Sequence, residues 1–163
     1  MDRTKERIWL VTGASGHLGN TVVRKLLAQD QKVRALVLEE ERPKALEGLK
    51  LEVVSGDVSL APSLDPFFAG LEDKEIIVLH MASLITIYAK AGPAVYRVNV
   101  QGTRNMLQAA KRYGAGRFLY CGTIHTLPLP PRFEDELKEI DHYDPDLVHG
   151  DYAKSKAMAS QLV

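Results

Sequence analysis

The sequence predicts an α/β domain with a doubly wound parallel sheet, and three observations support that fold class. Five short apolar runs recur along the chain, at residues 8–11, 33–38, 51–54, 76–79 and 118–121. These runs are largely apolar rather than alternating, apart from Arg34 and Glu52, which is typical of parallel strands covered on both faces. Longer segments with helical periodicity separate them, and this alternation favours βαβ units with right-handed crossovers. The chain has 163 residues and is 45% hydrophobic, which suits one globular core.

Two of the intervening segments have clear helical signatures. Residues 17–29 follow a glycine-rich turn as one helical segment, and residues 94–113 show the most regular pattern. In the second segment small and apolar side chains recur at three- and four-residue steps, and Gly114 follows as a stop signal. Residues 126–150 are rich in prolines and acids, so we expect mostly loop there.

Composition excludes several classes of function. Acidic and basic residues balance at 21 each, so we expect no nucleic-acid or membrane partner. Cys121 is the only cysteine, which excludes an internal disulfide and favours a reducing compartment. No apolar stretch approaches the roughly 18–20 residues that cross a bilayer, and no signal peptide is visible, so we expect a cytoplasmic protein. His142 and His149 lie among aspartates at a spacing that matches no metal-ligand pattern, so we expect no metal.

A glycine-rich turn follows the first apolar run and precedes the first helix. Gly13 permits a tight turn off the strand, Gly16 lets the backbone approach a pyrophosphate, and Gly19 lets the helix pack closely on the sheet. The N-terminus of the helix then offers free N–H groups and a partial positive charge to phosphates. We therefore expect a dinucleotide here, with Ser15, His17 and Leu18 joining the three glycines in binding it. For His17, a solvent-facing position in the loop is the alternative.

The order of further motifs resembles the extended branch of the short-chain dehydrogenase/reductase superfamily, also called the NAD-dependent epimerase/dehydratase family. The shared motifs are Thr-Gly-x-x-Gly-x-x-Gly from Thr12, Gly56-Asp57-Val58, His80-Met81-Ala82-Ser83, Asn99-Val100-Gln101-Gly102-Thr103 and Tyr152-x-x-x-Lys156. The resemblance covers essentially the whole chain and implies a Rossmann fold. It also implies further cofactor-binding residues, namely Asp57 at the adenine amino group, with Val58, Met81, Ala82, Ser83, Asn99, Tyr152 and Lys156.

Tyr152 and Lys156 are the candidate catalytic pair. They are four residues apart, so on a helix they share one face. A tyrosine, whose ordinary pKa is about 10, becomes a useful acid–base group when a nearby ammonium favours the phenolate. The resemblance implies that Lys156 also binds the nicotinamide ribose and that the hydroxyl of Thr123 orients the substrate. The alternative for Thr123 is a structural role at the end of a strand.

The second strand leaves the choice between NAD and NADP open. The resemblance places an NADP-reading arginine where Leu38 stands and an NAD-reading acid near Val37, and the sequence has neither. Glu39, Glu40 and Glu41 would repel a 2′-phosphate, whereas Arg34 or Arg42 would attract one. We expect NAD, with NADP as the alternative.

These features predict a nicotinamide-dependent oxidoreductase that acts on a secondary alcohol or ketone carbon of a small-molecule substrate. Sugar-nucleotide dehydratases of the superfamily carry Asp-Glu after the threonine, whereas Ile124-His125 follow Thr123 here. Residues 82–85 and 117–120 resemble dihydroflavonol reductases and 3β-hydroxysteroid dehydrogenases instead. A sugar-nucleotide epimerase and a non-catalytic dinucleotide sensor are the alternatives, although such sensors typically lose Tyr-x-x-x-Lys.

The chain ends seven residues after Lys156, within the helix that carries the catalytic pair. The resemblance implies a further strand and a C-terminal substrate domain after this point. We therefore expect residues 1–163 to be a nucleotide-binding domain that is inactive alone. We also expect it to form a homodimer through its two central helices.

Overall fold

The computed structural model describes residues 5–41, 44–130, 132 and 136–163. Its centre is a parallel sheet of five strands in the order β3-β2-β1-β4-β5. The strands are β1 (Arg7–Thr12), β2 (Lys32–Val37), β3 (Glu52–Ser55), β4 (Glu75–His80) and β5 (Arg117–Tyr120). The strand order reverses between β1 and β4, as in Rossmann folds, so the predicted doubly wound sheet is confirmed.

The three central strands and the two edge strands differ in burial. Most residues of β1, β2 and β4 are buried, as expected for strands covered on both faces. The edge strands β3 and β5 are less covered, with Val53 49% and Leu119 39% exposed. The expectation that both faces of these two strands are covered was therefore wrong, because the helices of the described residues leave parts of their faces exposed.

Helices cover both faces of the sheet. Helix α1 (His17–Leu27) packs Val23 and Leu26 against one face, in a cluster with β1 and β2. The other face carries a short helix, α2 (Asp65–Phe68), and the longer α4 (Gly102–Arg112), whose Met106 contributes to the larger core cluster. Helix α5 (Asp151–Leu162) packs beside the central helical segment, residues 93–112. Among the helices of the described residues, none has the length and apolar character of a membrane span.

The central helical segment is not one regular α-helix as predicted. It consists of α3 (Pro93–Tyr96), a π-helical turn (Arg97–Gln101) and α4. Within the turn, the carbonyl of Asn99 accepts a hydrogen bond from the Thr103 hydroxyl at 2.7 Å. Its side chain bonds to groups outside the helix. A π-helical turn accommodates one extra residue and is frequent at functional sites.

The segment between β5 and α5 is mostly loop, as predicted. It contains two short 3-10 helices, Ile124–Thr126 and Pro145–Leu147, the second of which begins at a proline. The chain then enters α5 through Gly150, whose φ of +83° lies in the region that favours glycine.

Candidate active site

The glycines of the turn after β1 shape it in different ways. Gly13 has a φ of +70°, and a Cβ there would lie 2.8 Å from the backbone N of Ala82. A Cβ on Gly19 would lie 2.0 Å from the carbonyl oxygen of Gly13. At Gly16 the nearest atom to an added Cβ is 3.4 Å away. Gly13 and Gly19 are therefore required by close backbone packing, whereas the space beside Gly16 is open.

The N-terminus of α1 carries no side-chain cap. Gly16 precedes the helix in an extended conformation, and none of the described side chains accepts a hydrogen bond from the first turn. The side chains of His17 and Leu18 are exposed, so their backbone amides are what the turn offers to a ligand. An uncapped helix N-terminus presents N–H groups and positive potential, which suits phosphate oxygens.

A cleft of about 320 Å³ lies at the carboxyl ends of the strands, where the strand order reverses. This is the position at which open α/β sheets bind ligands. The cleft brings together six of the predicted cofactor-binding residues: Gly13, Ser15, Asp57, Val58, Ala82 and Ser83. Gly16, His17, Leu18, Gly19, Met81, Asn99, Tyr152 and Lys156 do not line it.

A buried hydrogen-bond chain underlies this cleft, and the sequence patterns did not reveal it. Because the Thr103 hydroxyl donates to the Asn99 carbonyl, it accepts from Nε2 of His80 at 3.1 Å. Nδ1 of His80 then accepts from the Thr12 hydroxyl at 2.7 Å. The oxygen of Thr12 in turn accepts from the backbone N–H groups of Met81 and Ala82. The chain thus joins the phosphate turn to the central helical segment.

His80 is a structural residue in this chain and not an acid–base group. Burial, and secondarily the charge of Lys156, lowers its pKa from 6.5 to about 3. The imidazole is therefore neutral at physiological pH.

This neutral imidazole gives the folded chain a specific pH dependence. The unfolded chain binds a proton at His80 below pH 6.5, whereas the folded chain binds one only near 3. The stability due to His80 is therefore fully present above pH 6.5 and is lost as the pH falls toward 3. Between about pH 7.5 and pH 5 we expect His80 to lower the free energy of unfolding by roughly 2 kcal/mol.

Urea denaturation at both pH values measures this effect. His80→Asn retains a donor and an acceptor but does not titrate, so its stability should vary less with pH. His142→Asn, at an exposed position, is the matched control. Equal pH dependence in the His80 variant and the native chain would contradict the assignment.

Asn99 holds the loop that follows β4. Its Oδ1 accepts from Ser83 Oγ at 3.1 Å and from the backbone N of Leu84 at 2.8 Å. Its Nδ2 donates to the carbonyl of Leu84 and to Ser155 Oγ on α5. All the bonding capacity of the Asn99 amide is therefore used within the protein, so the side chain fixes the site's shape rather than facing the cleft.

Asp151 holds the other end of the same loop and directly precedes Tyr152. Its carboxylate accepts from the backbone N of Ala91 at 2.6 Å, from that of Gly92 at 3.1 Å and from the Tyr96 hydroxyl at 3.0 Å. The bond from Ala91 is the largest of the interactions that keep the pKa of Asp151 below its ordinary value. The loop over residues 84–92 is thus attached at one end to the central helical segment, through Asn99, and at the other end to α5, through Asp151.

Lys156 lies in the interior, with 3% of its surface exposed. Its Nζ donates to the carbonyl of Cys121 at 2.7 Å and lies 4.0 Å from the centroid of the Tyr120 ring. Burial lowers the pKa of Lys156 from 10.5 to about 8, so the ammonium form still predominates at pH 7. The ammonium of Lys156 therefore lies next to Tyr120 and Cys121, at the end of β5.

Tyr152 lines a second cavity of about 390 Å³, together with the loop over residues 86–89. The ring of His125 lies edge-on to the Tyr152 ring, with centroids 6.2 Å apart, and His149 lines the same cavity. Neither Thr123 nor Lys156 lines it. The structure thus brings Tyr152 together with His125, a neighbour that the sequence analysis did not single out as catalytic.

Thr123 takes part in the local turn after β5. Its Oγ1 accepts from the backbone N of His125 at 3.4 Å, and its carbonyl accepts from the Thr126 hydroxyl at 2.6 Å. This is the structural alternative that the sequence left open for Thr123. The bond to its Oγ1 is long and therefore weak. The hydroxyl would lose little hydrogen-bond energy if it bonded to another partner instead.

Charged residues in β2 and directly after it bear on the choice between NAD and NADP. Arg34 is buried, pairs with Glu52 at 2.7 Å and donates to the carbonyls of Phe67 and Ala69. The idea that Arg34 attracts a 2′-phosphate was therefore wrong, because its guanidinium is engaged in the core. Arg42 lies outside the described residues. Glu41 lines the cleft, and its carboxylate accepts from Ser15 Oγ at 3.4 Å.

Possible metal ligands are dispersed. In the part of the chain that the structure describes, no three His, Cys, Asp or Glu side chains lie close enough to hold a metal ion.

A family model supports the sequence resemblance. It is described as the NAD dependent epimerase/dehydratase family and matches residues 9–163. The chain belongs to this family. The name of the family specifies NAD, a dinucleotide. The cleft where the strand order reverses between β1 and β4, together with the uncapped N-terminus of α1, is suited to bind such a molecule.

Similar proteins include oxidoreductases. The chain is 32% identical to sterol demethylase protein B of Methylococcus capsulatus, over 94% of this chain and 45% of that protein. It is 32% identical to the 3 beta-hydroxysteroid dehydrogenase type 7 of Rattus norvegicus, over 96% of this chain and 47% of the relative. A putative dihydroflavonol 4-reductase of Synechocystis is 31% identical over 94% of this chain and 43% of its own length. The chain thus spans about half the length of these curated relatives.

Solved structures show the same fold. The structure of gox2253 is similar with a TM-score of 0.79 at 29% identity, over 94% of this chain and 45% of that one. A short-chain dehydrogenase/reductase superfamily protein from Agrobacterium tumefaciens, with bound NAD, has a TM-score of 0.69 at 26% identity, over 96% and 44%.

Proposed function

We propose that this protein is an NAD-dependent oxidoreductase that moves a hydride to or from a secondary alcohol or ketone carbon. The observation that carries the proposal is the buried ammonium of Lys156, four residues after Tyr152 on α5. A buried charge without a carboxylate partner costs stability, and such groups cluster where chemistry uses them. The dehydrogenase and reductase names of similar proteins support the same reaction class.

One set of residues binds the cofactor, and another transfers the proton. When bound, the nicotinamide ring supplies the hydride acceptor or donor. The amides of α1 at His17, Leu18 and Gly19 hold the pyrophosphate, because they are uncapped and beside the open face of Gly16. Asp57 and Ser83 line the cleft where the adenosine and ribose groups would lie.

Tyr152 transfers the proton at the substrate oxygen. The Lys156 ammonium lowers the energy of the phenolate form and holds the ribose, and the Thr123 hydroxyl orients the substrate toward Tyr152. The neutral state of His80 avoids a second positive charge next to Lys156. Asp151 and Asn99 fix the position of the loop over residues 84–92, which forms a wall of the cavity, relative to Tyr152.

Apolar side chains next to the Tyr152 cavity favour an apolar alcohol over a sugar nucleotide. Ile87 and Ala89 line the Tyr152 cavity itself, together with the polar side chains of Thr86, Tyr88, His125 and His149. An adjoining cavity shares His125, His149 and Ala153 with it and is otherwise lined by Ile124, Leu127, Leu129, Leu137, Leu147 and Val148. A sugar nucleotide needs many hydrogen-bonding partners, and among the described residues the adjoining cavity offers the side chains of His125 and His149 alone.

Turnover of the full-length protein with NAD tests the proposal. We expect it to oxidise apolar secondary alcohols and release NADH, which absorbs near 340 nm. Interconversion of sugar nucleotides with the cofactor retained would establish the epimerase alternative instead. Binding of NADH without turnover of any alcohol, ketone or sugar nucleotide would favour the sensor alternative.

Glu41 is the residue that we propose selects NAD over NADP. It lines the cleft, whereas Glu39 and Glu40 line a neighbouring depression. A carboxylate accepts hydrogen bonds from ribose hydroxyls and repels a 2′-phosphate. We expect Glu41→Gln to weaken NAD binding by about 5-fold and to strengthen NADP binding by a similar factor.

Calorimetric titration of both cofactors measures this selectivity on the 163-residue chain. Glu39→Gln removes the same charge from the same loop outside the cleft and is the matched control. If both variants change the ratio of the NAD and NADP affinities equally, the effect comes from net charge, and Glu41 is not the selecting residue.

We also propose that the protein is cytoplasmic and forms a homodimer through α5 and the central helical segment. Met158 and Val163 near the end of α5 are 36% and 56% exposed, which leaves apolar surface for a partner helix. Light scattering coupled to size exclusion should give twice the monomer mass of 18.1 kDa. Met158→Lys should shift this species to the monomer, and a monomeric native chain would contradict the proposal.

A further inference from the structure

The environment of the Lys156 ammonium is unusual for a buried cation. Only 3% of the residue is exposed, and Lys156 takes part in none of the ion pairs among the described residues. Its polar contact is the Cys121 carbonyl at 2.7 Å, and its other close contact is the face of the Tyr120 ring at 4.0 Å. The surroundings compensate the charge with a carbonyl and an aromatic face rather than with a carboxylate.

The ring of Tyr120 provides the aromatic face that contacts Lys156, whereas its hydroxyl makes no comparable contribution. Its hydroxyl is buried and has no hydrogen-bond partner of normal geometry among the described residues, although Ser160 lies near it. Its ring also lies beside the His80 ring, with centroids 6.0 Å apart. A buried hydroxyl without a partner costs free energy, so the part of the side chain that the site uses is the ring.

We propose that Tyr120 is a positioning residue whose aromatic face holds the Lys156 ammonium beside Tyr152 without cancelling its charge. A carboxylate at this position would pair with the ammonium and offset its field at Tyr152. The ring attracts the cation through its quadrupole and carries no net charge, so the whole positive charge remains available to the phenolate. The effect of the charge on the Tyr152 phenolate rests on the proposed function, but the contact between the Tyr120 ring and the Lys156 ammonium does not.

The groups that surround Lys156 are consistent with this role. They are His80 from β4, Tyr120 and Cys121 at the end of β5, and Tyr152 one turn earlier on α5. None of them is a carboxylate, and His80 is neutral. Burial keeps the pKa of Lys156 low, so removing the favourable ring contact would bring it near physiological pH.

The test is the pKa of Lys156, measured on the 163-residue chain without substrate or cofactor. The pH dependence of the NMR chemical shifts of Lys156 Cε and Hε in protein labelled with ¹³C-lysine reports this pKa and requires no access of a reagent to the buried amine. The exposed Lys111 serves as the internal reference. We expect Tyr120→Leu to lower the pKa of Lys156 by about one unit and Tyr120→Phe to leave it unchanged.

The two variants separate the ring from the hydroxyl. Tyr120→Phe keeps the aromatic face and removes the buried hydroxyl, so its melting temperature should equal or exceed that of the native chain. If Tyr120→Leu does not fold, Tyr120→Met fills the space without an aromatic face and replaces it in the comparison. An unchanged pKa of Lys156 in a folded Leu or Met variant would overturn the proposal, as would a pKa lowered equally in Tyr120→Phe.

A second readout connects the contact to the cofactor. Above the lowered pKa, Tyr120→Leu should bind NAD several-fold more weakly than Tyr120→Phe, and the difference should vanish at a pH where Lys156 is fully protonated. A native chain that does not bind NAD would contradict the proposed function while leaving the pKa result intact. Equal affinities of the two variants at every pH would show that the ring does not act through the Lys156 charge.

Discussion

Replacing Tyr152 with phenylalanine is expected to lower kcat by about 100-fold or more while leaving cofactor affinity nearly unchanged. The phenyl ring preserves the edge-on contact with His125 and the shape of the cavity. Only the hydroxyl that exchanges a proton with the substrate oxygen is lost. The cleft at the phosphate turn is built from other elements, so cofactor binding should be retained.

Steady-state kinetics of the full-length protein, with calorimetry for the cofactor, measure this effect. Tyr88→Phe is the matched control, because Tyr88 lines the same cavity and the change removes one hydroxyl there as well. The control should retain kcat within a few-fold of the native value. A Tyr152→Phe protein with near-normal turnover would assign the proton transfer to another group, and His125 would be the first to examine.

Gly16→Val is expected to weaken dinucleotide binding by roughly 100-fold or more with the fold retained. The space next to Gly16 is open in the structure, with the nearest atom 3.4 Å from an added Cβ, so the folded chain can accommodate a side chain. A branched side chain would occupy the volume through which the pyrophosphate reaches the amides of α1. Gly19→Ala is a poorer test, because its Cβ would collide with the Gly13 carbonyl at 2.0 Å and damage the turn itself.

Calorimetry with NAD and circular dichroism together test this prediction on the 163-residue chain. Gly116→Val, before β5, places the same side chain away from the turn, with the nearest atom 3.8 Å from the new Cβ. It should bind NAD as the native chain does. Native affinity in Gly16→Val would refute the assignment of this turn as the phosphate site.

The fold could be predicted from the sequence because its signals are local. Buried strands appear as continuous apolar runs, and the turn after β1 is constrained by backbone collisions at Gly13 and Gly19 that only glycine avoids. The predicted strands agree with the observed ones to within one residue at most ends. The family resemblance rests on motifs of this kind, in their order along the chain.

The site's internal architecture could not be predicted, because it depends on contacts between residues far apart in the sequence. The bond between Thr12 and His80 spans 68 residues, and that between Arg34 and Phe67 spans 33. Arginine at position 34 suggested a phosphate ligand until the structure placed its guanidinium in the core. Tyr120 belongs to a segment that contributed to the family resemblance, but nothing in the sequence indicated its contact with Lys156, since an aromatic residue in a strand is ordinary.

The π-helical turn at Arg97–Gln101 has a consequence for insertions and deletions in the family. Deleting one residue from this turn would restore regular α-helical winding without breaking the helix. The segment on the N-terminal side would then rotate by about 100° and move by about 1.5 Å relative to α4. The hydrogen bonds from Tyr96 and Gly92 to the Asp151 carboxylate would then be lost. The wall of the Tyr152 cavity would no longer be attached to α5 through these bonds. The number of residues in this turn is therefore constrained by the contacts of Asp151.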